Sequence, residues 1–310
     1  MIKHYKSFVD GLVPISHLEE GCWVNCTNPS SHEIGNLVDI YGIPERFITS
    51  SLDELERSRV ELRDGKILVV VDVPIYDTLG DSKIFTTYPL GIVLMPDNIV
   101  TICSKKLPLI DDFILEKLDD FQTDRKWNFL LQILMNNTTY YLQYLKQINR
   151  MSDAIETNLQ GSMKNKELIQ LLNLEKSLVY ISTSLIGVES VLEKIIKMNL
   201  VDRNSLEYTL LEEVVIENRQ VQEMADIYSG ILGGMMDAFA SIISNNLNIV
   251  MKFMAAVTIL LTIPTMIYSF FGMNVPFPAA TNNLAFIGIL VFSFSVSIVL
   301  AIILMKRKMF

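Results

Sequence analysis

The most informative absence in this sequence is charge near its C-terminal end. Residues 253–305 contain no Asp, Glu, Lys, Arg or His over 53 consecutive positions. A membrane-spanning helix needs about 20 apolar residues at about 1.5 Å rise per residue. We therefore predict two spans, at about 253–271 and 284–305, joined by a loop at 272–283 whose prolines and asparagines favour a chain reversal. A buried hairpin of a soluble protein would normally keep a polar outer face.

Other features that are scarce or missing narrow the class of protein. Cys22, Cys26 and Cys103 are too few and too scattered for a disulfide framework, and the three histidines do not complete a zinc pattern with them. The first residues lack the apolar run of a secretory signal. The sequence has no phosphate-binding glycine loop and no nucleophile elbow. We predict that the protein is not an enzyme.

Basic residues are outnumbered, and some of them mark the predicted spans. The chain has 35 acidic and 26 basic residues, and its formal net charge is −9. An acidic cytoplasmic body argues against nucleic acid or anionic lipid as the main partner of that body and is compatible with cations. Lys252 precedes the first span, and Lys306-Arg307-Lys308 follow the second. The positive-inside rule then predicts a multi-pass protein of the cell (inner or plasma) membrane with both termini in the cytoplasm.

The N-terminal part predicts an α/β domain. Its clearest strands are 67–73, 84–88, 90–95 and 99–104, and Asp97-Asn98 suits the tight turn of a hairpin between the last two. We expect helices at 30–41 and 51–58, with Ser51 or Asp53 as the capping residue of the second. The predicted organisation is a cytoplasmic α/β domain at 1–120, a long-helix stalk at 121–246, and a transmembrane hairpin with a basic cytoplasmic tail at 247–310.

Helical periodicity dominates the second half. Apolar residues spaced alternately by three and four predict a long helix that packs through one seam; the seam consists of Leu171, Leu174, Leu178, Ile181, Leu185, Val188, Leu192 and Ile195. A further helix begins at Ser205 and meets no proline before Pro264. About 65 residues of helix would measure roughly 100 Å. A helix of that length needs partners, and the simplest partners are copies of itself around an axis.

One face of that helix is polar or small through the first span. We call this face the polar stripe, and it consists of Asp237, Ser241, Ser244, Asn248, Met251, Ala255, Thr258, Thr262, Thr265, Ser269 and Gly272. In lipid, hydroxyls are tolerated where they face protein, backbone or water. The stripe therefore predicts a channel wall. The alternative is that small residues allow close helix packing while threonine hydroxyls bond to the carbonyl four residues earlier.

The sequence at the end of the first span resembles a known family. Gly272-Met273-Asn274 lies within YSFFGMNV at 268–275, and SNNLN at 244–248 leads into the span. These segments, their order and the basic tail resemble the CorA family of magnesium transport proteins. The resemblance is strong over about 205–310, and weaker similarity at Trp23-Val24-Asn25 and at 90–94 extends it along the chain.

The resemblance implies a homopentameric funnel whose first spans surround a pore for Mg²⁺. Gly272, Met273 and Asn274 would then form the ion-selective outer mouth, where amide oxygens can bind the hydrated ion without removing its water. Along the conduit the resemblance implies Asp237, Asn248, Met251 and Thr265, and the polar stripe adds Thr258 and Thr262. Met251 would be either an ordinary core residue or an apolar ring able to close the pore by expelling water. Glu213 would bind regulatory Mg²⁺ between neighbouring cytoplasmic domains, with a partner carboxylate among Asp72, Asp77, Asp111 and Asp112. The alternative is that Glu213, like the nearby Glu212 and Glu217, belongs to a solvated helix face.

Two departures from the family pattern concern selectivity and gating. The loop VPFPAATNN has no acidic residue, whereas many relatives have a Glu there. Thr262 occupies a position where some relatives have an apolar pore residue, so a narrow gate would depend on Met251 and Met254.

The sequence leaves three functions open. The first is an electrophoretic Mg²⁺ channel gated by intracellular Mg²⁺. The second is a transporter of Zn²⁺, Co²⁺ or Ni²⁺ from the same superfamily, with or without proton coupling. The conduit has no His or Cys for a softer metal, and the spans contain no Asp, Glu, Lys, Arg or His. The third is a membrane-tethered structural or signalling protein, against which the polar stripe argues.

Overall fold

The structure is a computed structural model of the chain and describes residues 1–8, 11–79, 82–117, 121–161, 165–273 and 283–307. Its strands are β1 (Ile2–Phe8), β2 (Gly11–Ile15), β3 (Trp23–Thr27), β4 (Arg59–Arg63), β5 (Lys66–Leu79), β6 (Ser82–Leu94) and β7 (Ile99–Cys103). Its helices are α1 (Ser31–Asp39), α2 (Glu45–Leu52), α3 (Pro108–Ile114), α4 (Lys126–Gly161), α5 (Asn165–Lys197), α6 (Leu206–Phe271) and α7 (Asn283–Lys306). The chain divides into two compact units, Met1–Gly234 and Met235–Phe310.

The strands form one seven-stranded sheet in the order β2-β1-β3-β7-β6-β5-β4. Neighbouring strands are antiparallel except β3 and β7, which are parallel. Side chains alternate between the two faces: Val69, Val71 and Val73 pack in a core with α3, α4 and α5, whereas Leu68 and Val70 pack in a core with α1 and α2. The apolar run at 67–73 is therefore a strand buried on both faces, and the predicted α/β domain is confirmed.

The predicted hairpin with Asp97-Asn98 in its turn is confirmed, and it connects β6 to β7. Leu94 pairs with Ile99 across the turn that contains Asp97-Asn98. The predicted strands 84–88 and 90–95 are parts of the single strand β6, which continues through Pro89. Pro89 pairs with Asp72 of β5, but β7 pairs with β6 only from Leu90 onward. The proline therefore lies at a point where one edge of β6 has no paired residue of β7.

The sequence predicts α1 correctly but α2 wrongly. Ser30 caps α1, with a reciprocal capping box formed by Glu33. Hydrogen bonds to the Glu33 carboxylate, of which the bond from the Ser30 backbone N–H has the largest effect, lower the pKa of Glu33 to about 2. The predicted helix at 51–58 is wrong, because α2 spans Glu45–Leu52 and the chain after it leads into β4. Asp53 follows the last helical residue and so stands at the opposite end from an N-cap.

Ser51, the other predicted cap, is a packing residue inside α2. It is fully buried, and its hydroxyl donates to the Phe47 carbonyl at 2.6 Å. A Cβ at Gly91 of β6 would lie 1.8 Å from the Ser51 oxygen. Glycine at 91 therefore allows the serine of α2 to contact the strand directly.

The long helices follow the predicted periodicity. All eight residues of the α5 seam are at most 1% exposed, and they pack toward α4 and the β4–β6 part of the sheet. The amide of Asn218 on α6 donates to the Leu185 carbonyl on α5 at 3.3 Å. At the start of α6 the Ser205 hydroxyl accepts from the Tyr208 N–H at 3.3 Å. The helices α6 and α7 are both long and apolar enough to cross a membrane.

Candidate functional site

The polar stripe lies along one exposed face of α6. Every stripe residue from Asp237 to Gly272 is exposed in the single chain. Met251 is 64% exposed and the neighbouring Met254 is 58% exposed. The structure thus brings the predicted conduit residues onto one face: Asp237, Asn248, Met251, Thr258, Thr262 and Thr265.

The opposite face of α6 is the one that α7 covers. Ala256 is fully buried, and Leu260, Ile263 and Ile267 are partly buried. At about 3.6 residues per turn these four positions share one side of the helix, roughly half a turn from Thr258 and Thr265. Ile263 also lines an apolar groove with residues of α7, namely Phe292, Ser295, Val296, Val299, Leu300 and Ile303. Packing within the hairpin therefore leaves the polar stripe available to water or to another molecule.

The three threonines of the stripe bond to their own helix. The hydroxyl of Thr258 donates to the Met254 carbonyl at 2.8 Å, that of Thr262 to the Thr258 carbonyl at 2.7 Å, and that of Thr265 to the Leu261 carbonyl at 2.8 Å. Each hydroxyl proton is thereby used, while the oxygen keeps lone pairs. The exposed face consequently presents hydrogen-bond acceptors, which suit water molecules bound to a cation.

The stripe ends at the predicted ion-selective tripeptide. The Gly272 N–H donates to the Tyr268 carbonyl at 2.9 Å, and a Cβ on Gly272 would lie 3.2 Å from that same oxygen. Glycine therefore relieves crowding where the helix stops. Met273 is 59% exposed. Asn274, the residue predicted to contact the ion, lies outside the described residues.

The carboxylates predicted for regulation are not gathered in one chain. Glu213 is exposed on α6. Asp77 is 3.2 Å from Lys105, Asp111 is 3.0 Å from Lys106, and Asp112 is 2.8 Å from Lys117. Over the described ranges, no group of three or more His, Cys, Asp or Glu side chains could hold a metal ion.

Asp72, the remaining regulatory candidate, connects β5 to α4 and α5 through hydrogen bonds that the sequence did not predict. Its carboxylate accepts from the Ser184 hydroxyl on α5 at 3.0 Å, and its carbonyl accepts from Asn137 and Tyr141 on α4, both at 2.9 Å. Burial raises the pKa of Asp72, and the Ser184 hydrogen bond partly opposes that rise. The residue joins β5 to two helices, and its carboxylate is engaged within its own chain.

Comparison with known proteins supports a single family. Over 265 residues the chain is 27% identical to the cobalt/magnesium transport protein CorA of Methanocaldococcus jannaschii, covering 84% of this chain and 82% of that protein. It is 19% identical over 284 residues to the protein of the same name from Thermotoga maritima, covering 88% and 80%. The complete CorA magnesium transporter structure from M. jannaschii superposes with a TM-score of 0.82 at 23% identity, covering 98% of this chain and 96% of that one.

A family model defines the assignment. The model for CorA-like Mg2+ transporter proteins matches residues 19–307, which is nearly the whole chain. The family consists of transporters, so the prediction that the chain is not an enzyme is confirmed. The resemblance noted at Gly272-Met273-Asn274 is confirmed as well: this chain belongs to the CorA-like Mg2+ transporter protein family.

Proposed function

We propose that this chain forms a homopentameric channel that admits Mg²⁺ into the cytoplasm. The observation that carries the proposal is the polar stripe, an acceptor-rich face of α6 that α7 leaves uncovered inside an otherwise apolar hairpin. Copies of α6 arranged with their stripes inward would enclose a polar conduit, with α7 outside. The functional division is a cytoplasmic domain at 1–120, a stalk at 121–246 and a transmembrane hairpin at 247–310 with both termini cytoplasmic.

The chemistry of the stripe suits a hydrated divalent cation. Mg²⁺ holds its water shell tightly and prefers octahedral oxygen coordination. Its bound water molecules donate hydrogen bonds, and the hydroxyls of Thr258, Thr262 and Thr265 offer acceptors to them. In the proposed channel the amide oxygens of Asn274 select the hydrated ion at the outer mouth. A divalent cation gains about 4.6 kcal/mol per 100 mV of inside-negative potential, so no second substrate is required.

The proposed closed state has two components. Met251 and Met254, both more than half exposed on α6, form apolar rings that exclude water from the conduit. Glu213 and a carboxylate of the adjacent protomer bind intracellular Mg²⁺ and stabilise a symmetric arrangement. Support for an intersubunit site comes from the exposure of Glu213 on α6.

Uptake into vesicles that contain the purified protein tests the proposal. Mg²⁺, Co²⁺, Ni²⁺ and Zn²⁺ are compared with and without an imposed voltage and with and without a proton gradient. We expect voltage-driven Mg²⁺ uptake that Asn274→Ala reduces by at least about tenfold, a loss equivalent to about 1.4 kcal/mol. Asn274→Asp should bind Mg²⁺ more tightly yet conduct it more slowly, because a ring of carboxylates releases the ion less readily.

The same experiment separates the other candidate functions. Zinc uptake that requires a proton gradient would identify a proton-coupled zinc transporter. No uptake of any of the four ions would leave a membrane-tethered structural or signalling protein. Either of these results would contradict the Mg²⁺ channel, whereas Mg²⁺ uptake unchanged by Asn274→Ala would contradict only the role of Asn274.

A further inference from the structure

Basic residues of α6 and α7 lie at a similar distance from the loop that connects the two helices, at the opposite end of the hairpin. Lys252 lies 19 residues before the end of α6 at Phe271, and Lys306 lies 23 residues after the start of α7 at Asn283. At about 1.5 Å per residue, these positions are about 29 Å and about 35 Å from the loop. That distance is close to the thickness of a bilayer's hydrocarbon core, about 30 Å. Lys252, Lys306 and the adjacent Arg307 therefore lie at the same membrane surface.

These three side chains have no acidic counter-charge in the hairpin. The sequence contains no Asp or Glu after Asp237, so all 35 acidic residues precede the hairpin. Lys252, Lys306 and Arg307 are exposed, and none of them forms an ion pair with a described residue. Positive charge that is exposed and unpaired at a bilayer surface attracts the phosphates of anionic lipids.

We propose that Lys252, Lys306 and Arg307 bind the phosphate headgroups of anionic phospholipids. We call these residues the basic cluster. The inference rests on the proposed function, which places the cluster at the cytoplasmic mouth. In a homopentamer the cluster occurs five times around the conduit and would repel a divalent cation. Bound lipid phosphates neutralise that repulsion, so the lipid regulates the rate at which Mg²⁺ passes.

Lipid retention tests the binding step directly. The full chain in detergent is mixed with equal amounts of phosphatidylglycerol and phosphatidylcholine, and the lipids that stay bound are measured by native mass spectrometry. Neutralising one basic residue should weaken retention about fivefold. We therefore expect the variant K252Q/K306Q/R307Q to retain phosphatidylglycerol about a hundredfold less than the original chain. Excess glycerol phosphate should not displace the lipid, and displacement would identify a free-phosphate site and overturn the proposal.

A matched control variant removes the same charge elsewhere. Lys146, Arg150 and Lys176 are exposed on α4 and α5, so K146Q/R150Q/K176Q also loses three positive charges but none from the hairpin. This control should retain phosphatidylglycerol as the original chain does. Equal retention by the two triple variants would overturn the proposal, because net charge alone would then explain the result.

Flux measurements distinguish this inference from the function on which it rests. Mg²⁺ uptake by the original chain and by the control variant should rise severalfold when phosphatidylglycerol is added to phosphatidylcholine vesicles, whereas uptake by K252Q/K306Q/R307Q should not respond. If no vesicle takes up Mg²⁺, the proposed channel fails while lipid retention is still decided by mass spectrometry. If Mg²⁺ flux is present but the basic-cluster variant responds to lipid like the control, only the lipid proposal fails.

Discussion

The carboxyl group of Asp72 illustrates how one residue can set the pH dependence of a domain. Burial raises the pKa of Asp72, so the folded chain binds this proton more tightly than the unfolded chain does. The stabilising contribution is complete below the unfolded pKa and is lost as pH rises through the folded pKa. Asp72→Asn keeps an acceptor for the Ser184 hydroxyl and removes the charge. We expect the variant to be more stable at neutral pH, by about 1 kcal/mol.

Intrinsic fluorescence can measure this difference, because Trp23 and Trp127 both lie in the N-terminal unit. Unfolding temperatures of the full chain and of Asp72→Asn are compared between pH 4 and pH 8. The difference between the two should grow as pH rises through the folded pKa of Asp72, since other carboxyl groups titrate alike in both proteins. Asp153→Asn, which neutralises an exposed carboxylate of α4, is the control. Parallel curves for Asp72→Asn and the original chain would refute the expectation.

The hydroxyl of Thr258 provides a second prediction at this scale. Thr258→Val keeps the shape of the side chain but removes the oxygen acceptor. We expect Mg²⁺ flux to fall about fivefold, because a hydrogen bond contributes about 1 kcal/mol. Folding should be unaffected, since the Met254 carbonyl keeps its helical N–H partner. Thr258→Ser should restore the flux.

Ser295 offers a matched control for that change. Its exposed hydroxyl also donates to a carbonyl one turn earlier, that of Val291 at 2.8 Å, but it lies on α7. Ser295→Ala should leave flux unchanged. If Ser295→Ala and Thr258→Val reduce flux equally, bonding of hydroxyls to the helix, and not the polar stripe, explains the loss.

Among the elements, α5 shows how strongly one face of a helix determines stability. Leu185 lies in the seam and is fully buried, whereas Val179 on the same helix is 56% exposed. Leu185→Ala should destabilise the N-terminal unit by about 2–5 kcal/mol, because it removes buried methyl groups and leaves a cavity. Val179→Ala should change stability by less than about 0.5 kcal/mol. Chemical denaturation of the two variants measures both values, and similar losses would contradict the seam.

Sequence patterns predict best the elements whose periodicity is long and uninterrupted. The alternating spacing in α5 and the uncharged stretch in α6 and α7 each extend over many turns, so local exceptions do not obscure them. The prediction for α2 is wrong because Ser51 is typical of a helix start, whereas its buried hydroxyl bonds to Phe47 within the helix. The short strands β1 to β4 were not predicted. Pairing across the sheet, which the sequence does not display, stabilises them.

The candidate site was predictable in part for the same reason. The polar stripe follows from helical spacing alone, and the structure places its residues on one exposed face. The covering of the opposite face by α7 and the junction at Asp72 depend on contacts between distant segments. Ser184 and Asp72, for example, are 112 residues apart. No local pattern could pair them.

For the whole molecule, the exposure of α6 indicates that a single chain is incomplete. Every residue from 240 to 255 is exposed, and the exposed set includes large apolar residues such as Leu247 and Phe253. Lipid can cover apolar side chains within the membrane, but it cannot solvate Asn248 or the threonine oxygens. The proposed association of several copies through α6 would cover the apolar surface and leave the polar stripe in contact with water.

Cysteine substitution can test that arrangement without removing the native thiols. Cys22, Cys26 and Cys103 are buried, and burial raises the pKa of Cys26 to about 12 and that of Cys103 to about 11. Thiols of this kind hold almost no thiolate at neutral pH and react slowly. An introduced cysteine is therefore the principal target for a charged methanethiosulfonate reagent.

We expect the reagent to block most of the Mg²⁺ flux through Thr265→Cys, because a positive group attached to the polar stripe would stand inside the conduit and repel the ion. Ser295→Cys, an exposed position on α7, should keep its flux after the same treatment. The extent of labelling of each variant, measured by mass spectrometry, separates lack of reaction from lack of effect. Full labelling of Thr265→Cys with undiminished Mg²⁺ flux would place the stripe outside the conduit. Loss of flux in both labelled variants would show that the reagent disturbs the fold and does not act through the stripe.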